Sequence, residues 1–386
     1  MRFSRSIFAT PILVGVTMLS ATLPAQASVH YTIKDLGTLG GVDSSATATD
    51  GQTVVGGAST AGGAFHAFAY NLANGIMSDL GTLGGTFSRA LGVSGNFVIG
   101  YSDIPGDGAF HAFVDNLSTH QMTDVGTFGG PDSVLQAIGG HIAIGLSDTA
   151  AGTVHALAYD LDTGRTIDVG TLGGTFSFAN AVSGDLIAGT SDLPGDIQRH
   201  AFVYNLDTAA ITDLGTLGGT QSEGDAIDGR FVVGTSTRAA VNGTHAYVYN
   251  VDTATMTDLG TLGGGSTDST ATALSGKTVI GVASFPNAVS RAVAYSLNRH
   301  TITDLGTLGG SSSVAVGIDK HLVTGFANLP GDASAHTFLY DLSTNTLTDL
   351  GTLGGTTSIP AGFTNGIIFG WAFTSGGNQH AAIWLP

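Results

Sequence analysis

Hydrophobic positions along this chain come in short runs, and the same order of runs returns many times. One stretch shows four of them, Ser177 to Val182, Leu186 to Thr190, His200 to Tyr204 and Ile211 to Leu214. They are rich in β-branched and aromatic residues and are bounded by Gly, Asp, Asn or Thr, as β-strands are. Helix signals are nearly absent, because Gly interrupts every long run. The pattern predicts an all-β protein.

Two motifs mark the period of this pattern. DLGTLGG, or a close variant, begins eight times at intervals of about 45 residues, and HAF, or a variant, keeps the same period. Turn dipeptides such as Asp228-Gly229 lie between the motifs and supply the positive φ of tight hairpins. Four antiparallel strands in about 45 residues is the size of one propeller blade. We therefore expect an eight-bladed β-propeller of four-stranded antiparallel blades.

The chain starts and stops within one copy of the repeat. Tyr31 to Leu36 corresponds to a fourth strand, and His380 to Trp384 corresponds to a third strand. The N-terminal strand should therefore join the C-terminal blade and close the ring, which leaves no blade incomplete. A β-solenoid is the alternative architecture, but its strands would be parallel and would lack the two-residue turns. Residues 28–386 are expected to form a single domain.

In these motifs the sequence resembles the HAF family of extracellular repeat proteins, which is named for the His-Ala-Phe triplet. The resemblance covers residues 31–386, and both motifs recur through that range. Arg291-Ala292-Val293 departs most from the triplet because it lacks both the His and the Phe; His155-Ala156-Leu157, His336-Thr337-Phe338 and His380-Ala381-Ala382 depart less. The resemblance implies export and a repeat architecture, but no settled biochemical activity.

Residues 1–27 have the pattern of a cleavable signal peptide. Arg2 and Arg5 precede an apolar stretch from Ile7 to Leu23, and Pro24-Ala25-Gln26-Ala27 offers small residues to a signal peptidase. A membrane anchor is the alternative, but Thr residues and a Pro break the stretch. We expect a secreted protein, extracellular or periplasmic, with no membrane span in the mature chain.

Composition narrows the range of partners. The formal net charge is −17 at pH 7, which disfavours nucleic acid and anionic membranes as ligands. There is no Cys, so disulfides, thiolate metal sites and Cys nucleophiles are excluded. We expect a monomer whose partner is an extracellular ligand, either a glycan or a protein.

Most triplet histidines stand 13 residues before the Asp of the following DLGTLGG motif. In a hairpin of this spacing Tyr247 faces Asp258, and His245 lies diagonal to Asp258 within hydrogen-bond reach. A catalytic dyad would not be repeated in this way, so we interpret these residues as buried structural pairs that link the outer two strands. The histidines are His66, His111, His155, His200, His245, His336 and His380, and the aspartates are Asp35, Asp79, Asp124, Asp168, Asp213, Asp258, Asp304 and Asp349.

The first strand of each copy should be innermost, as in most propellers. Its variable positions then place Arg89, Asn180, Glu223 and Asp225 near the axis, and these are the candidate ligand-binding residues, with Gln136 as a further polar neighbour. Glu223 and Asp225 would share a face of the strand, and paired carboxylates can act as acid and base on a glycan. No aromatic sugar platform adjoins them in sequence. A hydrolytic propeller that uses these two acids is nevertheless the main enzymatic alternative.

We expect no cofactor and no metal. The loops Asp103 to Asp107, Asp192 to Asp196 and Asn328 to Asp332 offer oxygen ligands for calcium, but their Pro-Gly centres favour plain turn chemistry. The motifs GxSxG, SxxK and HExxH are absent. The leading hypothesis is an exported, non-enzymatic scaffold for binding or surface interaction. A structural component of the cell surface or of a biofilm is the third hypothesis.

Overall fold

A computed structural model describes residues 30–239, 243–263, 267–285 and 289–386. Within these ranges every regular element is a β-strand, from β1 to β32. No helix there is long and apolar enough to cross a membrane. The expected signal peptide and its cleavage site lie outside the described residues.

The strands pair in chain order into antiparallel groups of four, which we call units one to eight. Units one to four comprise β2 (Gly40–Thr49), β3 (Thr53–Thr60), β4 (Phe65–Asn71), β5 (Ile76–Gly81); β6 (Ser88–Ser94), β7 (Phe97–Asp103), β8 (Phe110–Asn116), β9 (Gln121–Gly126); β10 (Gly129–Gly139), β11 (Ile142–Thr149), β12 (Val154–Asp160), β13 (Arg165–Gly170); β14 (Ser177–Ser183), β15 (Leu186–Asp192), β16 (Arg199–Asn205) and β17 (Ala210–Asp213). Units five to eight comprise β18 (Gly218–Asp228), β19 (Phe231–Arg238), β20 (Thr244–Asn250), β21 (Thr255–Gly260); β22 (Asp268–Ser275), β23 (Thr278–Ser284), β24 (Ser290–Ser296), β25 (Thr301–Asp304); β26 (Ser313–Asp319), β27 (Leu322–Asn328), β28 (Ala335–Asp341), β29 (Thr346–Asp349); β30 (Gly354–Thr364), β31 (Ile367–Thr374), β32 (Gln379–Leu385) and β1 (Thr32–Gly37).

These groups form seven hydrogen-bonded sheets. Six sheets have four strands each, while units four and five share an eight-stranded sheet. Their junction is a single parallel pairing of Arg199 with Gln221, so each unit keeps its own antiparallel order. The expected pairing between the two chain ends is present, because β1 runs antiparallel to β32 with Ile33 opposite Trp384.

The first strand of every unit carries a β-bulge where it faces the second strand. In unit five the register moves from Gly224 opposite Gly234 to Ala226 opposite Val233, so that Asp225 is the extra residue. A Cβ on Gly234 would overlap the carbonyl oxygen of Glu223, which explains the Gly at the end of each apolar run. The eight bulge residues are Thr47, Leu91, Gln136, Asn180, Asp225, Thr272, Val316 and Ala361.

The core lies between the sheets of neighbouring units. Leu186 and Ala188 of unit four pack in one cluster with Val232 and Tyr247 of unit five. The ends of the chain pack in the same way, since Phe68 of unit one shares a cluster with residues of unit eight. Each sheet is therefore buried on both faces, as the low charge content of the sequence requires.

The recurrent Ser of the repeat links each unit to the one before it. Ser88 Oγ donates to the carbonyl of Gly81 at 2.5 Å and accepts the amide proton of Ala67 at 2.8 Å. Ser44 forms the same two bonds across the chain ends, with Gly37 in β1 and Ala381 in β32. The sequence marks this Ser as recurrent, but its role spans two repeats and is visible only in the fold.

Candidate binding surface

The His and Asp of the repeat lie within hydrogen-bond distance in seven units. The His Nδ1 atoms are 2.8 to 3.0 Å from the Asp carboxylate oxygens. The predicted register is confirmed, because Tyr247 lies opposite Asp258. The pairs join His66 to Asp79, His111 to Asp124, His155 to Asp168, His200 to Asp213, His245 to Asp258, His336 to Asp349 and His380 to Asp35.

The prediction that these pairs are buried is wrong for their acidic members. The His side chains are 12 to 23% exposed, but the Asp side chains are 32 to 47% exposed. The Asp sits where the outermost strand ends and also accepts the amide of the Gly two residues on, as Asp79 does from Gly81 at 2.8 Å. Its carboxylate therefore caps a turn at the surface as well as holding the His.

Unit six departs from this arrangement, as its sequence does. Arg291 replaces the His, and no hydrogen bond or ion pair joins it to Asp304 among the described residues. Asp304 Oδ1 still accepts the amide of Gly306 at 2.8 Å, so the turn cap is kept where the hairpin link is lost.

Polar side chains at the bulges link neighbouring inner strands. Asn180 Nδ2 donates to the carbonyl of Gly224 at 2.9 Å, and Gln136 Nε2 donates to the carbonyl of Ala179 at 2.5 Å. Thr47 makes the equivalent bond to its neighbour, at 2.8 Å. The structure thus gives Asn180, which the sequence suggests as a ligand-binding residue, an internal partner. Bulge positions of this kind stabilise the contact between units.

Asp225 occupies the same bulge position but cannot donate a hydrogen bond when it is ionised. Its burial, followed by the negative charge of Glu223, raises the pKa of Asp225 to about 7. Glu223 is exposed. The prediction that the two acids share a strand face rests on regular alternation, and the bulge interrupts that alternation at Asp225. The two carboxylates remain close enough to interact electrostatically.

Aromatic rings form a continuous row at the junction of units one and two. The centroids of Phe65 and Phe87 are 5.4 Å apart with nearly parallel rings, Tyr101 is 5.7 Å from Phe87, and Phe110 is 5.6 Å from Tyr101. All four side chains are partly exposed. Arg89 lies directly across the strand pair from Tyr101, and so on the same face of the sheet. We call these five residues the aromatic row.

Local backbone features hold the aromatic row in place. Phe65 and Phe87 meet in a parallel bridge between units one and two. A Cβ at Gly57 would overlap the ring of Phe65, so Gly at this position makes room for the stack. Arg89 Nη2 donates to Ser45 Oγ at 3.3 Å, and its buried Nε has no partner among the described residues. Arg89 is therefore tied to Ser45 of the neighbouring unit through a terminal nitrogen, while its Nε lies buried.

Sequence analysis identifies Arg89 but misses the rings around it. Phe65 and Phe87 belong to different repeats, and stacking between them depends on how adjacent units pack. Smaller aromatic pairs occur elsewhere: Phe176 and Phe178 in unit four, with Arg199 over Phe176, and Trp371 and Phe373 in unit eight. The signal that could have revealed the row is Phe87 and Tyr101 standing where most repeats carry smaller or polar residues.

The three Pro-Gly loops use their acids within the protein. Asp107 accepts the amide and hydroxyl of Thr86 at 2.8 and 3.1 Å, and Asp196 does the same with Thr175 at 2.8 and 2.9 Å. Asp332 accepts the amide of Ser311 at 2.7 Å. These contacts support the interpretation of the loops as turns that stabilise the neighbouring DLGTLGG segment.

No protein-family model and no curated protein matches this sequence. Solved structures do match. Oligogalacturonate lyase from Vibrio parahaemolyticus superposes with a TM-score of 0.52 at 11% identity, over 92% of this chain and 97% of that chain. The β-propeller domain of the Trilobed protease from Pyrococcus furiosus gives 0.52 at 10% identity, over 80% and 95%. Dipeptidyl peptidase 4 from Porphyromonas gingivalis gives 0.54 at 8% identity, over 89% and 58%.

At these identities the likeness concerns the fold alone. It agrees with the all-β architecture and with the four-stranded antiparallel order of the units. The chain is thus a β-propeller protein, and the activities of the matched enzymes are properties of those enzymes.

Proposed function

We propose that the chain is an exported, non-enzymatic propeller of eight blades that binds an extracellular glycan with the aromatic row. The observation that carries this proposal is the row of partly exposed rings of Phe65, Phe87, Tyr101 and Phe110, with Arg89 opposite Tyr101 in the strand pair. Export rests on the signal-peptide pattern and on the resemblance to HAF proteins. Sequencing the N-terminus of the protein recovered from culture medium and periplasm tests export, with Ser28 expected as the first residue.

Ring closure is supported by three contacts between units eight and one. β1 pairs with β32, and His380 bonds Asp35 at 2.9 Å. In the turns that follow β30 and β2, Asn365 Nδ2 donates to the carbonyl of Asp50 at 2.8 Å. Deletion of residues 28–37 should therefore leave the edge of β32 unpaired and promote aggregation. A monomeric deletion variant with unchanged stability would contradict closure.

The chemistry of the aromatic row suits a sugar. Partly exposed ring faces can stack on the apolar C–H face of a pyranose, while a guanidinium donates to ring hydroxyl groups. The net charge of −17 disfavours a highly anionic polymer through the overall field. We therefore expect a neutral or weakly charged oligosaccharide.

A glycan array with the mature protein, followed by calorimetry on any hit, tests this function. Tyr101→Ala and Arg89→Ala should each weaken binding at least about tenfold, which corresponds to about 1.4 kcal/mol. Phe178→Ala, which alters an aromatic pair in another unit, is the matched control and should leave the affinity unchanged. If Tyr101→Ala and Arg89→Ala both bind the glycan with wild-type affinity and keep the wild-type melting temperature, the aromatic row is not the binding site.

A hydrolytic function is the second candidate, and the pair Glu223 and Asp225 favours it. An acid with a pKa of about 7 next to a second carboxyl group is an arrangement that glycosidases use. Against it, the bulge position of Asp225 is filled in four other units by a side chain that bonds to the next unit, namely Thr47, Gln136, Asn180 and Thr272. Product analysis after incubation with each glycan hit separates the two: turnover that disappears in Glu223→Gln and Asp225→Asn would replace the binding proposal.

A further inference from the structure

A cluster in unit three, in a different sheet from the residues of the aromatic row, brings one imidazole and two carboxylates together. His141 directly precedes β11, Asp160 ends β12, and Asp162 lies in the turn that follows. One nitrogen of His141 and one carboxylate oxygen of each Asp all lie within 4.8 Å of one another. We call these three residues the unit-three corner.

The backbone fixes the unit-three corner from two sides. The amide of Leu161 donates to the carbonyl of His141 at 2.9 Å, and Ile142 lies opposite Asp160 in the strand pair. Asp160 Oδ1 accepts the amide of Asp162 at 2.9 Å, which holds the second acid beside the first. The three side chains therefore project from rigid hairpin ends, as a preorganised ligand site requires.

The corner is open to solvent on its outer side. His141 and Asp162 are exposed, while Asp160 is partly buried. Ligand atoms around an ion at about 2.0 to 2.2 Å lie roughly 3 to 4 Å apart, so small side-chain rotations would bring all three into contact with one ion. Water would complete the coordination.

Other units carry different residues at the positions equivalent to the unit-three corner. In unit five the position of His141 holds Arg230, whose guanidinium is 3.5 Å from Asp252 and 3.9 Å from Asp185. The same corner thus already holds a positive group elsewhere in the molecule, supplied there by the chain itself.

Unit seven supplies a natural comparison with one ligand fewer. His321 and Asp341 occupy the first two positions, with Nε2 and Oδ1 4.0 Å apart. The third position is Ser343, whose hydroxyl donates to Asp341 Oδ1 at 2.6 Å. Unit seven therefore has one carboxylate where unit three has two.

We propose that His141, Asp160 and Asp162 bind one divalent transition-metal ion, of the class that takes mixed imidazole and carboxylate ligands, such as Zn²⁺ or Mn²⁺. Calcium is disfavoured because it takes six to eight oxygen ligands and no imidazole. The ion would join the turn between β10 and β11, which carries His141, to the turn between β12 and β13, which carries Asp162. The site is independent of glycan binding at the aromatic row.

Calorimetry of the untagged mature protein with ZnCl₂, MnCl₂ and CaCl₂ tests the site, with metal content checked by mass spectrometry after dialysis. One equivalent of Zn²⁺ or Mn²⁺ should bind. Asp162→Asn and His141→Ala should each weaken that binding at least about tenfold. Ser343→Asp should create a second equivalent in unit seven, because it completes the same ligand set.

Asp207→Asn, which alters an exposed acid at the same turn of unit four, is the matched control and should change neither stoichiometry nor affinity. Melting curves recorded in the presence of a chelator should be the same for all variants. Such curves would show that a variant that loses metal binding still folds. Unchanged metal binding by Asp162→Asn, binding of calcium alone, or no second equivalent in Ser343→Asp would each overturn the proposal.

Discussion

Units five and six are neighbours with the same strand order, yet they fill the inner bulge in opposite ways. Thr272 of unit six donates its hydroxyl to the carbonyl of Ala315 in unit seven at 3.1 Å. Asp225 of unit five stands at the equivalent position and is a donor only while protonated. Where the bulge residue is polar, it donates to the next unit in the units of Thr47, Gln136, Asn180 and Thr272. The side chain of Asp225 can do the same only while it carries a proton.

The outer hairpins of the same two units differ as well. His245 of unit five bonds Asp258 at 2.8 Å, and Arg238 Nε lies 3.3 Å from the same carboxylate. Unit six has Arg291 and Asp304 in the paired positions without a bond between them. Unit five therefore has the His–Asp link at its outer hairpin but an acid at its inner bulge. Unit six lacks the outer link and has a neutral hydrogen-bond donor at its inner bulge.

Replacing Asp225 should produce the largest change in this comparison. Asp225 binds its proton more tightly in the folded protein, with a pKa of about 7 against the ordinary value of 3.8, than in the unfolded chain. The free energy of unfolding should therefore fall by about 2 to 4 kcal/mol as the pH rises from 4 to 8. Asp225→Asn should remove this fall and stabilise the protein at pH 8, because an amide can donate as Asn180 does. Urea unfolding at both pH values measures the effect.

Glu223→Gln is the control for this substitution, since it removes the neighbouring charge and leaves the acid at the bulge. It should lower the pKa of Asp225 only slightly and preserve most of the pH dependence, because burial is the larger cause. Equal pH profiles for wild type and Asp225→Asn would show that Asp225 titrates at its ordinary value.

Loss of the linking Ser should come next in size and should affect both units. Ser222 Oγ bonds the carbonyl of Gly215 at 2.6 Å and the amide of Ala201 at 2.9 Å, and Ser269 makes the same contacts with Gly260 and Ala246. Ser→Ala at either position leaves a buried donor and acceptor unpaired, at a cost of about 1 to 3 kcal/mol. Thermal melting of the two variants measures the cost. Wild-type stability in both would mean that water replaces the hydroxyl.

The outer link should contribute less, because its Asp faces solvent. His245→Ala should destabilise unit five by about 0.5 to 1 kcal/mol, below the cost of breaking a buried pair. Arg291→His should restore the link to Asp304 in unit six and raise stability by a similar amount. Chemical denaturation of both variants tests the sign as well as the size. A stabilising His245→Ala variant would contradict a structural role for the pair.

The features that lie within one repeat can be predicted from the sequence alone. The hairpin turns, the strand order and the register of Tyr247 opposite Asp258 all follow from residue spacing, because each is decided by atoms less than 50 residues apart. The sequence also shows that Ser269 stands two residues farther from its DLGTLGG motif than Ser222 does. In the structure Ser269 accordingly bonds a Gly nine residues earlier, where Ser222 bonds one seven residues earlier.

Features that depend on how repeats pack could not be read in the same way. The stack of Phe65 on Phe87 and the bonds from Ser88 to unit one join different repeats, so no spacing rule reveals them. The sequence predicts a buried Asp79, but its side chain is largely exposed in the structure. Alternation along a strand does not reveal how near the end of that strand lies to solvent. The bulge at Asp225 escaped prediction because the residue type at this position changes from repeat to repeat, as Thr47, Leu91 and Asp225 show, so no common residue marks the extra position.

The smallest expected effect concerns local opening rather than global stability. Unit six lacks the His link at its outer hairpin, so its outer strands have one contact fewer to break when they open. Backbone amides in β24 and β25 should exchange hydrogen about two- to fivefold faster than those in β20 and β21, which corresponds to less than about 1 kcal/mol of local opening free energy. Exchange followed by mass spectrometry on peptides from the two units measures the ratio under identical conditions. Arg291→His supplies the internal control, because it should slow exchange in β24 and β25 and leave β20 and β21 unchanged. Equal protection in the two units would show that packing between the sheets, and not the outer link, determines how easily a unit opens.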